Sequence, residues 1–164
     1  MPDCHSFSPV ITPDCKILVL GSMPGVQSLE RQQYYAHPRN RFWTVMTALA
    51  AEKAVPALYE DRLHMLLKQK IALWDVLAYC QREGSLDTAI QKEEANDFPW
   101  LFSTYPKIHT VCFNGGKAFS AFQKHQKALL TNPKLRFLPL PSTSPANARW
   151  TNEKLLEAWR IIRQ

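Results

Sequence analysis

The chain has 164 residues, a mass of 18.9 kDa, 46% hydrophobic and 21% charged residues, and a formal net charge of +6. This composition excludes a disordered chain, and the length suits one domain over 1–164, since domains mostly run ~100–150 residues with a tail beyond. No apolar run reaches the ~20 residues of a membrane-spanning helix, and MPDCHSFSPV lacks a basic start followed by an apolar core, so a cytoplasmic protein is expected, nucleoid-associated in a bacterium or archaeon.

Residues 1–15 contain Pro and Ser and read as an irregular arm. Lys16-Ile17-Leu18-Val19-Leu20 is a short apolar run ending at Gly21, the pattern of a buried strand entering a turn. Phe42, Trp43, Met46, Leu49 and Ala50 follow helical spacing, with Asn40 as expected N-cap. A second amphipathic helix is expected over 57–69, then a strand over 71–76. Residues 80–97 are polar and read as loop with a short helix, and 98–105 as another short helix. Ile108 to Phe113 is rich in β-branched residues and reads as a strand; Ala118, Phe119 and Phe122 mark the helix after it. A short strand over 135–138 precedes the last helix, which starts near Thr151. Strands alternating with helices predict an α/β sheet with parallel strands, whose carboxyl ends gather the ligand-binding loops.

Cys4, Cys15, Cys80 and Cys112 form no CxxC pair, so reduced thiols, no metal and no cofactor are expected; His5 beside Cys4 is the one faint hint of a metal ligand. The excess of Lys and Arg favours a polyanion partner, but the cations are scattered, so a nucleic-acid surface must be assembled by the fold.

Four loop segments carry possible chemistry. Gly21-Ser22-Met23-Pro24-Gly25 follows a strand, where glycine lets backbone amides approach a ligand; it also fits an ordinary tight turn. Tyr34-Tyr35-Ala36-His37-Pro38-Arg39-Asn40-Arg41-Phe42-Trp43 combines rings that can stack a base with cations that can meet phosphate, although Phe42 and Trp43 also suit a core helix. In Phe113-Asn114-Gly115-Gly116-Lys117, the Asn amide can read a base edge or bond its own turn. Leu140-Pro141-Ser142-Thr143-Ser144-Pro145-Ala146-Asn147 offers hydroxyls and backbone amides to phosphate oxygens, or is a plain Pro-Ser loop.

Taken together and in order, GSMPG (21–25), YYAHPRNRFW (34–43), FNGGKA (113–118) and LPSTSPANA (140–148) resemble the uracil-DNA glycosylase superfamily, in particular its hypoxanthine (deoxyinosine) DNA glycosylase branch. LWDVL and GSLDTAI add to that likeness, and the mismatch-specific uracil/thymine glycosylases are the nearest relatives of the branch. The resemblance implies a three-layer α/β/α sandwich around a four-stranded parallel sheet. It implies a monomer that flips a damaged base out of double-stranded DNA, hydrolyses its N-glycosidic bond and starts base excision repair. Ser22 stands where most of the superfamily keeps a catalytic Asp or Asn, and the branch assigns that task to the position of Asn40. Leu140 replaces the His with which efficient uracil enzymes begin the minor-groove loop, which argues against a broad uracil glycosylase.

On this reading Asn40 orients the attacking water, and Asn114 and amides near Ser22 and Met23 stabilise the departing base. Phe42 is the stacking wall. Gly115, Gly116, Lys117, Pro141 and Ser142 meet the DNA backbone, and the tip containing Thr143, Ser144 and Asn147 fills the vacated stack. A Schiff-base role for Lys117 is the alternative to phosphate contact, and Asp75 and Asp87 are reserve acids. Three competing functions remain: a G·U/G·T mismatch glycosylase, a non-catalytic binder of damaged DNA, and a hydrolase of free nucleosides.

Overall fold

The computed structural model describes residues 1–163. In chain order the elements are β1 (Asp3–His5), β2 (Ile17–Gly21), α1 (Val26–Arg31), α2 (Phe42–Leu49), α3 (Tyr59–Lys68), β3 (Ile71–Asp75) and β4 (Leu77–Gln81). There follow β5 (Gln91–Ala95), α4 (Phe98–Thr104), β6 (Thr110–Asn114), α5 (Gly116–His125), β7 (Arg136–Leu140) and α6 (Asn152–Trp159).

The main sheet is parallel, with strand order β3-β2-β6-β7. A strand covered on both faces needs apolar residues at consecutive positions, which is why β2 and β3 read as unbroken apolar runs. Leu18 and Leu20 of β2 pack with Phe98 and Leu101 of α4 and with Ala121 and Phe122 of α5. Val19 faces the other way, toward Phe42 and Met46 of α2, Leu66 of α3, and Leu155 and Trp159 of α6. Helices on both faces of the sheet give the three-layer α/β/α sandwich expected.

The sequence reading needs four local corrections. Residues 1–15 are not wholly irregular: β1 pairs antiparallel with β4, and Val10 bridges Leu73 on the outer side of β3, so the arm covers sheet edges. Residues 80–97 hold the expected loop and a short 3-10 helix (Asp87–Ala89), but strands flank them: β4 and β5 form a hairpin that joins β1 in a second, antiparallel sheet. The strand signal there is masked because β5 is polar and the β4–β5 register shifts twice. Helix α1 lies outside the elements expected from sequence, since Leu29, partly buried, is its one apolar residue packed against the core. The N-cap of α2 is Arg41 rather than Asn40, although Asn40 Oδ1 still accepts the Phe42 N–H at 2.9 Å.

All four cysteines are buried free thiols, and burial pushes Cys80 up to about 11 and Cys112 up to about 12. Among the described residues no cluster of three or more His, Cys, Asp or Glu side chains could hold a metal ion, and no helix is long and apolar enough to cross a membrane.

Candidate active site

The loops after β2, β3, β6 and β7 meet at the carboxyl edge of the main sheet. With the segment before α2 and the 85–88 loop they enclose a cavity of about 640 Å³, of a size usual for ligand pockets. Gly21 closes β2, and a Cβ there would stand 2.7 Å from Asp75 Oδ1 and 3.2 Å from the Tyr35 hydroxyl, so only glycine lets these groups crowd the strand end. Gly115 has a φ of +98, a left-handed backbone suited to glycine, and its Cα faces Ser142.

Three of the four segments are joined through Thr143, which is fully buried. Its amide donates to Asn114 Oδ1 at 2.9 Å, and Asn114 Nδ2 donates back to the Thr143 hydroxyl at 2.9 Å. The hydroxyl in turn donates to Asn40 Oδ1 at 2.8 Å. Asn40 Oδ1 therefore holds two donors, the Thr143 hydroxyl and the Phe42 amide, and its Nδ2 has no hydrogen-bond partner among the described residues. An amide fixed in this way presents N–H, not a lone pair, to the cavity.

Hydrogen bonds tie down the loop after β7. Arg41 donates through its guanidinium to the Asn147 and Trp150 carbonyls and through its backbone to the Thr143 carbonyl. Asn147 Nδ2 bonds the Ser142 carbonyl at 2.9 Å, the Ser142 hydroxyl accepts from the Ser144 amide, and Trp159 holds the Pro141 carbonyl at 3.0 Å.

Ser22 donates its hydroxyl proton to Asp87 Oδ1 at 2.5 Å. With the proton committed to a carboxylate, the Ser22 oxygen is left as an acceptor on the cavity wall. Asp87 lies on a 3-10 turn held in place by Ser85, whose hydroxyl accepts from the Val26 amide at 2.8 Å.

Most of the residues singled out from sequence come together here: Ser22, Met23, Asn40, Asn114, Gly116, Pro141, Ser142, Thr143, Ser144 and Asn147 all line the cavity. Gly115 sits directly behind, against Ser142. Phe42 and Lys117 are placed differently. Phe42 is fully buried, and Tyr35 stacks on it at 4.0 Å between ring centroids; Tyr35, and not Phe42, lines the cavity wall, together with Tyr34 and Trp150. Tyr35 adopts a left-handed backbone (φ 54), uncommon for a bulky residue and a frequent mark of functional sites. Lys117 points to β5, where its Nζ pairs with Glu93 at 3.0 Å. Thr143 is not at an exposed tip; the outer turn of the loop after β7 is 144–147.

Asp75 ends β3 in the cavity wall. Burial pushes its carboxyl up to about 8; Arg82 opposes that rise and Asp87 adds to it. Burial likewise raises the Tyr34 and Tyr35 hydroxyls above the usual phenol range, with the Asp75 charge contributing to both. The sequence signal for Asp75 was its position at the end of an apolar strand; for Tyr35 there was none beyond the aromatic segment it shares.

Comparison with known proteins identifies the family of the fold. The profile of the Uracil DNA glycosylase superfamily matches residues 8–163. A protein of Methanosarcina acetivorans named hypoxanthine DNA glycosylase is 37% identical over 158 residues, 96% of each chain. A protein of the same name from Methanosarcina barkeri is 42% identical over 114 residues, covering 70% of this chain and 72% of its own. The solution NMR structure of a candidate uracil DNA glycosylase from Methanosarcina acetivorans superposes with a TM-score of 0.81 at 34% identity, covering 99% of this chain and 100% of that one.

Proposed function

Because the chain belongs to the uracil DNA glycosylase superfamily it is a DNA glycosylase, and we propose that the base it excises is hypoxanthine, released by hydrolysis in the first step of base excision repair. The observation that carries this reading is the Asn40–Thr143–Asn114 network on the wall of a cavity with room for a flipped nucleotide. The choice of hypoxanthine is supported by the names of the Methanosarcina relatives and by the four loop motifs.

The flipped base enters the cavity against Tyr35. The C1′–N bond breaks with its electron pair leaving on the base, and the sugar becomes oxocarbenium-like. A water oxygen then bonds C1′, and one water proton is lost to balance the base's gain of one. Asn40 offers an N–H to that water and Ser22 an acceptor, so the pair orients it. An oxocarbenium needs little basicity from its nucleophile, and orientation supplies most of what is required. Asn114 has one N–H and one lone pair left after bonding Thr143, enough to meet a donor–acceptor edge of the base. Backbone amides at Ser22 and Met23 stabilise charge on the departing base. The substrate is double-stranded DNA, whose phosphates meet the backbone at Gly115, Gly116, Pro141 and Ser142, while Ser144 to Asn147 face the vacated stack.

The test is to incubate the protein with a duplex carrying deoxyinosine and identify the products by mass. Free hypoxanthine and an intact strand with an abasic site are expected. Binding without release would indicate a damage binder. Activity on free inosine that undamaged duplex does not inhibit would indicate a nucleoside hydrolase.

A further inference from the structure

The Asp75 side chain is out of place for a structural acid. It is 3% exposed, stands in the cavity wall at the end of β3, and its Oδ2 is buried with no hydrogen-bond partner among the described residues. Asn96 bonds the Asp75 backbone carbonyl at 2.8 Å, so anchoring the strand end leaves the carboxyl uninvolved. Its Oδ1 and the Tyr35 hydroxyl crowd the same point above Gly21, on the wall shared with Asn114. The ionisable groups facing it are Arg82, Asp87, Tyr34 and Tyr35, and the Arg82 guanidinium donates to the Pro24 carbonyl instead. A buried polar atom left without a partner calls for one, and the cavity is where a partner arrives.

The geometry points to Asp75 as a further residue of base release: held as a neutral carboxylic acid, it donates a hydrogen bond to the flipped base and stabilises it as it departs. This rests on the glycosylase reading of the same cavity. The base leaves with an extra electron pair, so a neutral donor assists and a carboxylate opposes it. A 6-oxopurine offers acceptors at its exocyclic oxygen and ring nitrogens. Burial that raises the carboxyl to about 8 keeps the donor proton in place at neutral pH.

The test is the pH profile of single-turnover hypoxanthine release from a deoxyinosine duplex between pH 6 and 10, read by mass of the free base. The wild-type rate should break near pH 8 and then fall about tenfold per pH unit. Asp75→Asn keeps an N–H donor but cannot titrate, so its profile should lack that break. Because deoxyinosine itself titrates identically in both reactions, a break shared by the variant is a property of the substrate and overturns the proposal. Asp75→Ala should be slower than Asp75→Asn by about tenfold or more; equal rates for the two also overturn it. The protonation state has its own readout. With a folded-state carboxyl raised from 3.8 to about 8, wild-type stability should decline as pH rises from about 4 through 8, and Asp75→Asn should lack that slope. A wild-type rate flat to pH 9 refutes the role of Asp75 while leaving the glycosylase reading intact. No release at any pH refutes both.

Discussion

Thr143 and Asn114 hold each other twice, each amide donating to the other residue at 2.9 Å, and the same threonine hydroxyl donates a hydrogen bond to Asn40 Oδ1 at 2.8 Å. One side chain thus fixes two asparagines of the cavity wall. Thr143→Val keeps the shape and removes the hydroxyl, which leaves Asn114 Nδ2 and Asn40 Oδ1 each short of a partner. Leaving buried polar groups unpaired costs about 1–3 kcal/mol, so urea unfolding should show a loss of that order. Base release should fall about tenfold or more as Asn40 loosens, and Thr143→Ser should restore most of it. A Thr143→Val protein with wild-type turnover would mean the network is only structural.

Gly21→Ala tests the crowding at the end of β2. The added Cβ would lie 2.7 Å from Asp75 Oδ1 and 3.2 Å from the Tyr35 hydroxyl, so the cavity wall must shift. Overpacking of this kind costs about 1–3 kcal/mol. A thermal melt should record the destabilisation and single-turnover kinetics a slower release. Wild-type values in both would show that the strand end has room to spare.

Ser22 and Asp87 separate in a paired comparison. Ser22→Ala removes the acceptor and should slow base release about tenfold to a hundredfold. Asp87→Asn keeps an oxygen to receive the Ser22 proton and should have a smaller effect. If Asp87→Asn is the worse of the two, the carboxylate acts directly and the serine is its support.

Lys117 should not form a covalent adduct with the abasic sugar. Its Nζ lies 3.0 Å from Glu93, and a protonated amine in an ion pair is a poor nucleophile. Borohydride treatment of the reaction should trap no protein–DNA conjugate; a conjugate lost on Lys117→Met would show a lyase step.

Three of the four parallel strands, β2, β3 and β6, were legible because burial on both faces demands apolar runs, and the loops of the site were legible because they follow the carboxyl ends of such strands. Asn114 and the Ser22 turn could be named for that reason, whereas Asn40, in the segment before α2, was named through the family resemblance. The β1–β4–β5 sheet was not legible: its strands are short and partly polar, and an antiparallel sheet exposed on one side leaves no long run. Phe42 and Tyr35 show a different limit. They lie in one aromatic segment, and which ring faces the cavity is decided by a left-handed turn at Tyr35 that composition does not reveal. The buried place of Thr143 likewise depends on partners far away in sequence.

The most direct measurement is single-turnover base release from matched duplexes containing deoxyinosine, deoxyuridine or a G·T mismatch, with Asn40→Ala alongside. Release from deoxyinosine well above the other two, slowed about 10²–10³-fold by Asn40→Ala with DNA binding retained, is the expected result. Faster release of uracil or thymine, or an Asn40→Ala protein that turns over normally, would contradict it.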